Sequence, residues 1–174
     1  AELIQLRIVE GDRAIQIADN IIATADRMLG VVTNLLDINR MEQGAATFQP
    51  VVFAIAPLID ATLEQYQPSA DAKNITLHYT PEHHAEAVFA DQQITIQILD
   101  NLISNAVKYS PFGKNIFIRT ETREGKIRIE IRDEGPGISP EDMTKLFGKF
   151  VRLSAQPTGG EHSTGLGLSI VKKM

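Results

Sequence analysis

The stretch that most limits what this chain can fold into is ITIQILDNLISNAVKYSP, Ile94 to Pro111. Wound as a helix at about 100° per residue, it brings Gln97, Asn101, Ser104, Asn105 and Lys108 onto one narrow face. Ile94, Ile96, Ile98, Leu99, Leu102, Ile103, Ala106 and Val107 cover much of the rest. A helix apolar over so much of its circumference is expected to be buried on several sides. Amides and a lysine carried into the interior cost free energy unless each finds a partner. The stripe therefore serves either an internal hydrogen-bond network or a polar ligand, for which a polyanion with its metal ion is the sharper reading.

The length of 174 residues allows one ordinary domain, or a smaller one with a helical appendage. An apolar content of 43% supports a real core and argues against disorder. With no cysteine, neither a disulfide framework nor a thiolate metal site is available. The net charge is −5 and no basic block appears, so nucleic acid is excluded as the expected partner. No apolar run is long enough to span a bilayer, and no membrane contact is expected of this segment.

Residues 1–43 read as helical, broken near Gly11–Asp12. Beyond the break Ile15, Ala18, Ile22, Ala25, Leu29, Val32, Leu36 and Ile38 recur every three to four residues. Gln16, Asp19, Asn20, Asp26, Arg27, Asn34 and Arg40 take the other side. An amphipathic helix of roughly 30 residues is longer than a typical globular one and belongs in a bundle or coiled coil. Leu3, Ile4, Leu6, Ile8 and Val9 would end a preceding antiparallel helix. The expectation is a helical hairpin completed by a second chain, a homodimer through the N-terminal helices; the alternative is a lone helix capping the domain after it. Gly44 is the expected helix stop. It divides the chain into 1–44 and 45–174.

After Gly44 the pattern changes. Phe48–Phe53 reads as a strand and Pro57–Tyr66 as a helix opened by its proline. Ile75–Tyr79 and Ala87–Ala90 read as strands on either side of a polar loop holding His83 and His84. Asn115–Thr122 and Lys126–Arg132 alternate cleanly across Glu124–Gly125, the pattern of a hairpin with one buried face. Pro140–Phe147 reads as a short helix, 148–163 as a glycine-bearing polar loop, and Leu166–Met174 as the start of a helix.

Two further stretches suit a ligand. Asp133-Glu134-Gly135-Pro136-Gly137-Ile138 comes directly after the second hairpin strand. Its carboxylate can accept a hydrogen bond from an amine, and its glycines let a flat ligand reach the backbone. Alone it is equally a turn. Ser163-Thr164-Gly165-Leu166-Gly167-Leu168 leads into a helix, whose first amides and dipole suit a phosphate. Alone it is equally an ordinary helix start.

In this order and among strands, the three stretches resemble the nucleotide-binding domain of two-component sensor histidine kinases. Asn101–Pro111 resembles the family's N box, Asp133–Ile138 its first glycine box, and Leu146-Phe147-Gly148-Lys149-Phe150 its F box. Gly165–Leu168 resembles the second glycine box, and LLDINRMEQG (Leu35–Gly44) the end of the dimerisation hairpin. The resemblance covers nearly the whole chain. It implies an α+β fold: a Bergerat-type α/β sandwich, with helices on one face of a mixed sheet, preceded by the helical hairpin.

By that resemblance the chain binds ATP and Mg²⁺. Asn105 supplies an oxygen to Mg²⁺, a hard cation. Asn101 and Lys108 contact phosphates, Tyr109 flanks the nucleotide, Asp133 accepts the adenine amine, and Gly135, Gly137 and Ile138 shape the base pocket. Thr164, Gly165, Leu166, Gly167 and Leu168 line the phosphate side. Residues 148–164 form a mobile lid, from which Arg152 or Lys149 reaches the γ-phosphate. Phe147 and Phe150 anchor the lid by packing, with Phe150 beside the nucleotide. The reaction implied is transfer of the γ-phosphoryl group to a histidine, and from there to the receiver domain of a response regulator. The resemblance also implies a cytoplasmic location, free or as part of a membrane-bound sensor.

That family's acceptor histidine lies on a helix, with an acidic residue after it. No histidine precedes His78, and neither His83–His84 nor His162 has that setting. The acceptor is therefore expected outside this chain, and the sheet's last strands after Met174. Sister ATPases of the gyrase and MutL types carry a water-activating glutamate four residues before the metal asparagine. Here that residue is Asn101, and an amide cannot take the proton. An ATPase driving conformational change and a non-catalytic nucleotide-sensing module remain the alternatives.

Overall fold

In the computed structural model, residues 11–42, 48–81, 87–161 and 163–174 are described, and the chain divides into two compact units at Gly44. The first unit holds helix α1 (Gly11–Glu42), 32 residues long. Gly11 and Asp12, where a turn is expected, are helical, and the preceding helix and the Gly44 stop lie outside the described residues. Ile15, Ile22, Leu29 and Leu36 recur every seven residues along α1 and are all exposed. That spacing is the seam of a coiled coil.

The second unit is built from β1 (Pro50–Phe53), α2 (Ile55–Asp71), β2 (Thr76–Thr80), β3 (Val88–Asp91), α3 (Gln92–Tyr109), β4 (Asn115–Arg123), β5 (Lys126–Asp133), α4 (Pro140–Met143) and α5 (Gly167–Lys173). Its strands form two sheets rather than the single one expected. β1 pairs antiparallel with β3, Val52 opposite Phe89. β4 pairs in parallel with β2 and antiparallel with β5, which makes a mixed three-stranded sheet. The β4–β5 turn places Glu124 and Gly125 both at positive φ, the twist that a two-residue hairpin loop requires.

On β4, Ile116, Ile118 and Thr120 point inward while Phe117 and Arg119 point out. Within this unit α2 and α3 pack on the inward face. Ile55, Ile59, Leu99, Ile103, Ala106, Val107, Ile116 and Ile118 meet there as one core. The burial of α3 is narrower than its composition suggests: Leu99, Ile103, Ala106 and Val107 are buried, whereas Ile96 is exposed. α2 starts before Pro57, where a proline forfeits no hydrogen bond, and runs on through Pro68. α4 stops at Met143, well short of Phe147, and a turn comes next in which Gly148 N–H donates to Lys145 O at 2.8 Å.

Candidate functional site

α3 carries the site, and both of its ends are fastened by side chains. Asp91 caps the start: its Oδ1 accepts the N–H groups of Gln93 and Ile94 at 3.0 and 3.1 Å. Its Oδ2 accepts Gln49 N–H at 2.9 Å, and these backbone donors, outweighing desolvation, hold the carboxyl below the ordinary carboxylate range. At the other end the last carbonyls, Val107 O and Lys108 O, accept from Lys73 Nζ at 2.7 and 3.1 Å. These are the orphan acceptors and negative pole of the helix, which a cation suits.

The polar stripe is partly satisfied within its own helix. Asn101 Nδ2 donates to Gln97 O at 2.8 Å, and Ser104 Oγ donates to Asn101 O at 3.2 Å. Asn105 and Lys108 differ. Both are half-buried, and among the described residues neither side chain has a hydrogen-bond or ion-pair partner. Burial pushes the Lys108 amine below its ordinary value, against the longer-range pull of Asp100 and Glu161. Asp100 in turn accepts Tyr66 Oη–H at 2.6 Å, and burial, helped by this carboxylate, drives the Tyr66 phenol upward.

The loop after β5 closes beside the end of α3. Asp133 Oδ1 accepts Gly135 N–H at 2.8 Å. A Cβ on Gly135 would lie 2.6 Å from Asp133 Oδ1 and 3.0 Å from Tyr109 O, so the backbone here fits only without a side chain. Gly137 turns through φ +73° with open space beside it, and Ile138 is exposed. Glu134 folds back, accepting the Asn115 N–H at 2.9 Å and its Nδ2–H at 3.2 Å.

The described part of 148–164 is irregular chain tied to the same end of α3. Thr158 N–H donates to Lys108 O at 2.9 Å, and Thr158 Oγ1–H to Ser110 O at 2.6 Å. Glu161 Oε1 pairs with Lys73 Nζ at 3.1 Å, and Tyr109 Oη donates to Ser163 Oγ at 3.3 Å. Asp142 holds the middle by accepting the Ser154 N–H at 3.0 Å. Packing does not anchor Phe150, whose ring is 58% exposed at φ +58°; Phe147 is also exposed, with Lys172 Nζ 5.1 Å over its face. Arg152 is exposed and has no partner among the described residues, and Lys149 is exposed.

α5 packs on α3 through a glycine. A Cβ on Gly167 would meet Asn101 Oδ1 at 2.6 Å, and one on Gly165 would meet Val151 O at 2.7 Å. The Leu166 side chain is fully buried, so only its backbone can face a ligand; its N–H donates to Thr164 Oγ1 at 3.4 Å. Leu168 is half-buried. Thus Asn101, Asn105, Lys108, Tyr109, Asp133, Gly135 and Gly167 come together on or against the C-terminal part of α3, while Gly165 lies against Phe150 and Val151. Lys73 and Asp100 join them without a local motif; Asp91, at the opposite end of α3, carried a capping signal, since it comes just before a helical pattern.

The histidines stand apart. His78 lies on β2, stacked on Phe117 at 4.9 Å with Nε2 2.9 Å from Asn115 Oδ1. His83, His84 and His162 lie outside the described residues. Among the described residues no cluster of metal-binding side chains occurs, and no helix is long and apolar enough to cross a membrane.

Glycine-bearing loops and polar side chains thus gather around one helix. Residues 90–174 match the family of histidine kinase-, DNA gyrase B-, and HSP90-like ATPases. The relatives carry kinase names. The chain is 35% identical over 162 residues to the uncharacterized sensor-like histidine kinase ycf26 of Porphyra purpurea, covering 85% of this chain and 24% of that protein. Full-length ShkA, solved with AMPPNP, superposes with a TM-score of 0.73 at 26% identity over 96% of this chain and 34% of its own. Histidine kinase ThkA in complex with the response regulator TrrA shares the fold, with a TM-score of 0.66 at 19% identity over 87% of this chain and 44% of its own. The chain spans less than half of the curated relatives it matches, 24% of one and 44% of another.

Proposed function

We propose that this chain binds MgATP on the α3 stripe and presents its γ-phosphoryl group to a histidine on another segment, as the catalytic domain of a sensor histidine kinase. The observation that carries this reading is the pair Asn105 and Lys108. Half-buried polar groups without partners cost free energy in the folded chain unless a ligand engages them. An amide oxygen and an ammonium one turn apart suit a hard cation and the phosphates it bridges. Bound Mg²⁺ would neutralise charge on the phosphates and hold them in line.

The residues divide the work. Asn105 ligates Mg²⁺, and Lys108 contacts the phosphates. Asn101 gives one amide N–H to Gln97 O and keeps the second for a phosphate oxygen. Asp133 accepts the adenine amine, Tyr109 flanks the nucleotide, and Gly135, Gly137 and Ile138 leave room for the base. Thr164, Gly165, Leu166, Gly167 and Leu168 bring backbone toward the phosphates. Phe150 borders the nucleotide, and Arg152 reaches the γ-phosphate as 148–164 closes. On transfer, the bond from the γ-phosphorus to its bridging oxygen breaks as one to the histidine nitrogen forms. Catalysis rests on positioning and electrostatics.

The partners come from the same reading: a second copy through α1, and a response regulator receiver domain that takes the phosphoryl group onward. The segment works in the cytoplasm, free or as part of a membrane-bound sensor. A paired measurement of analogue binding and phosphate release tests it. With an amide at Asn101, bound ATP should turn over slowly in the absence of an acceptor histidine. Rapid phosphate release by the isolated chain would instead make it a hydrolytic ATPase.

A further inference from the structure

Lys73 makes none of the nucleotide contacts proposed for the site, yet it is among the most enclosed charges in the second unit, at 5% exposure. It lies just after α2, and its ammonium has three donors and three acceptors: Val107 O at 2.7 Å, Lys108 O at 3.1 Å and Glu161 Oε1 at 3.1 Å. Two of these are the last carbonyls of α3, and the third belongs to the 148–164 segment. Glu161 is itself fixed, because its Oε2 accepts Gly159 N–H at 2.8 Å. Thr158 fastens the same place from the other side, donating to Lys108 O and Ser110 O.

We infer that Lys73 is a positioning residue for nucleotide binding: shared between the end of α3 and Glu161, it fixes the root of the 148–164 segment against the turn that carries Lys108 and Tyr109. The inference rests on the nucleotide-binding reading above. Lys108 O receives Lys73 Nζ and Thr158 N–H together, so the backbone beneath the phosphate-contacting amine is held at its carbonyl. At its far end the lock lies two to six residues before Ser163, Thr164, Gly165 and Gly167. One buried ammonium therefore sets the separation between the two sides of the site. A neutral side chain at residue 73 would leave Glu161 without its cation, held only by backbone N–H groups.

The test measures AMPPNP affinity with Mg²⁺ and amide exchange of 148–164 without nucleotide, for the wild-type chain, Glu161→Gln, Lys73→Met and the double variant, all well below their melting temperatures. Glu161→Gln keeps a hydrogen-bonding side chain on an exposed loop and carries the test if Lys73→Met does not fold. The expected result is roughly tenfold weaker binding in each single variant, faster exchange confined to 148–164, and a double variant no weaker than the weaker single one. A merely structural role would lower the melting temperature and leave the affinity of the folded protein unchanged. Wild-type binding with unchanged affinity in Glu161→Gln overturns the inference alone, as do weaker binding without faster exchange and losses that add. No binding by the folded wild-type chain overturns the nucleotide reading, and the inference with it.

Discussion

Asn105 and Lys108 stand one turn apart on α3, half-buried and without partners among the described residues. Replacing Asn105 by alanine removes the oxygen proposed for Mg²⁺ without opening the core, which lies on the Leu99–Ile103 side. Asn105→Ala should abolish Mg²⁺-dependent nucleotide binding and shift stability by no more than about 0.5 kcal/mol, read by titration and by thermal melting. Gly135→Ala makes a second claim. Its methyl would press on Asp133 Oδ1 and Tyr109 O, both at the proposed base pocket, so nucleotide affinity should fall while the core stays intact. These residues were legible in the sequence because helical periodicity collects Asn101, Asn105 and Lys108 on one face. Lys73 was not. Its partner Glu161 lies 88 residues away and its α3 carbonyls 34 and 35 away, and no local pattern encodes such a meeting.

Among the elements, α3 and the 148–164 segment behave as one piece because they share Lys73. Losing that buried cation while its carbonyl acceptors remain should destabilise the second unit by about 1–3 kcal/mol in Lys73→Met, measured by denaturant unfolding. The same junction should respond to acid. Desolvation raises the Glu161 carboxyl, but its own backbone N–H, Lys73 and the Gly159 N–H outweigh this and leave it below the ordinary range. A carboxyl that ionises more readily folded than unfolded stabilises the fold above its unfolded pKa. That contribution is lost as pH falls from the ordinary carboxylate range through the depressed folded value. Amide exchange at 158–161 should therefore quicken over that interval, and Glu161→Gln should flatten the dependence. The β4–β5 hairpin was readable from alternation and its turn. The division into two sheets was not, because strand partners are chosen by register across the fold; nor was the run of α2 through Pro68, which tertiary packing tolerates.

Taken whole, the chain joins a domain that matches an ATPase family over residues 90–174 to a long helix whose exposed apolar side chains repeat every seven residues. The order of motifs made that domain legible in the sequence, whereas the seven-residue repeat of the helix names no partner. If α1 pairs with a second copy, light scattering should report a dimer. Leu29→Glu combined with Val32→Glu should then make it monomeric without changing nucleotide affinity. The central claim, that the α3 stripe is a MgATP site, is tested most directly by calorimetric titration of the wild-type chain and Asn105→Ala with AMPPNP, with and without Mg²⁺. Saturable binding that needs both Mg²⁺ and Asn105 is the predicted result. Binding that persists in a folded Asn105→Ala variant, or its absence from the folded wild-type chain, would contradict it.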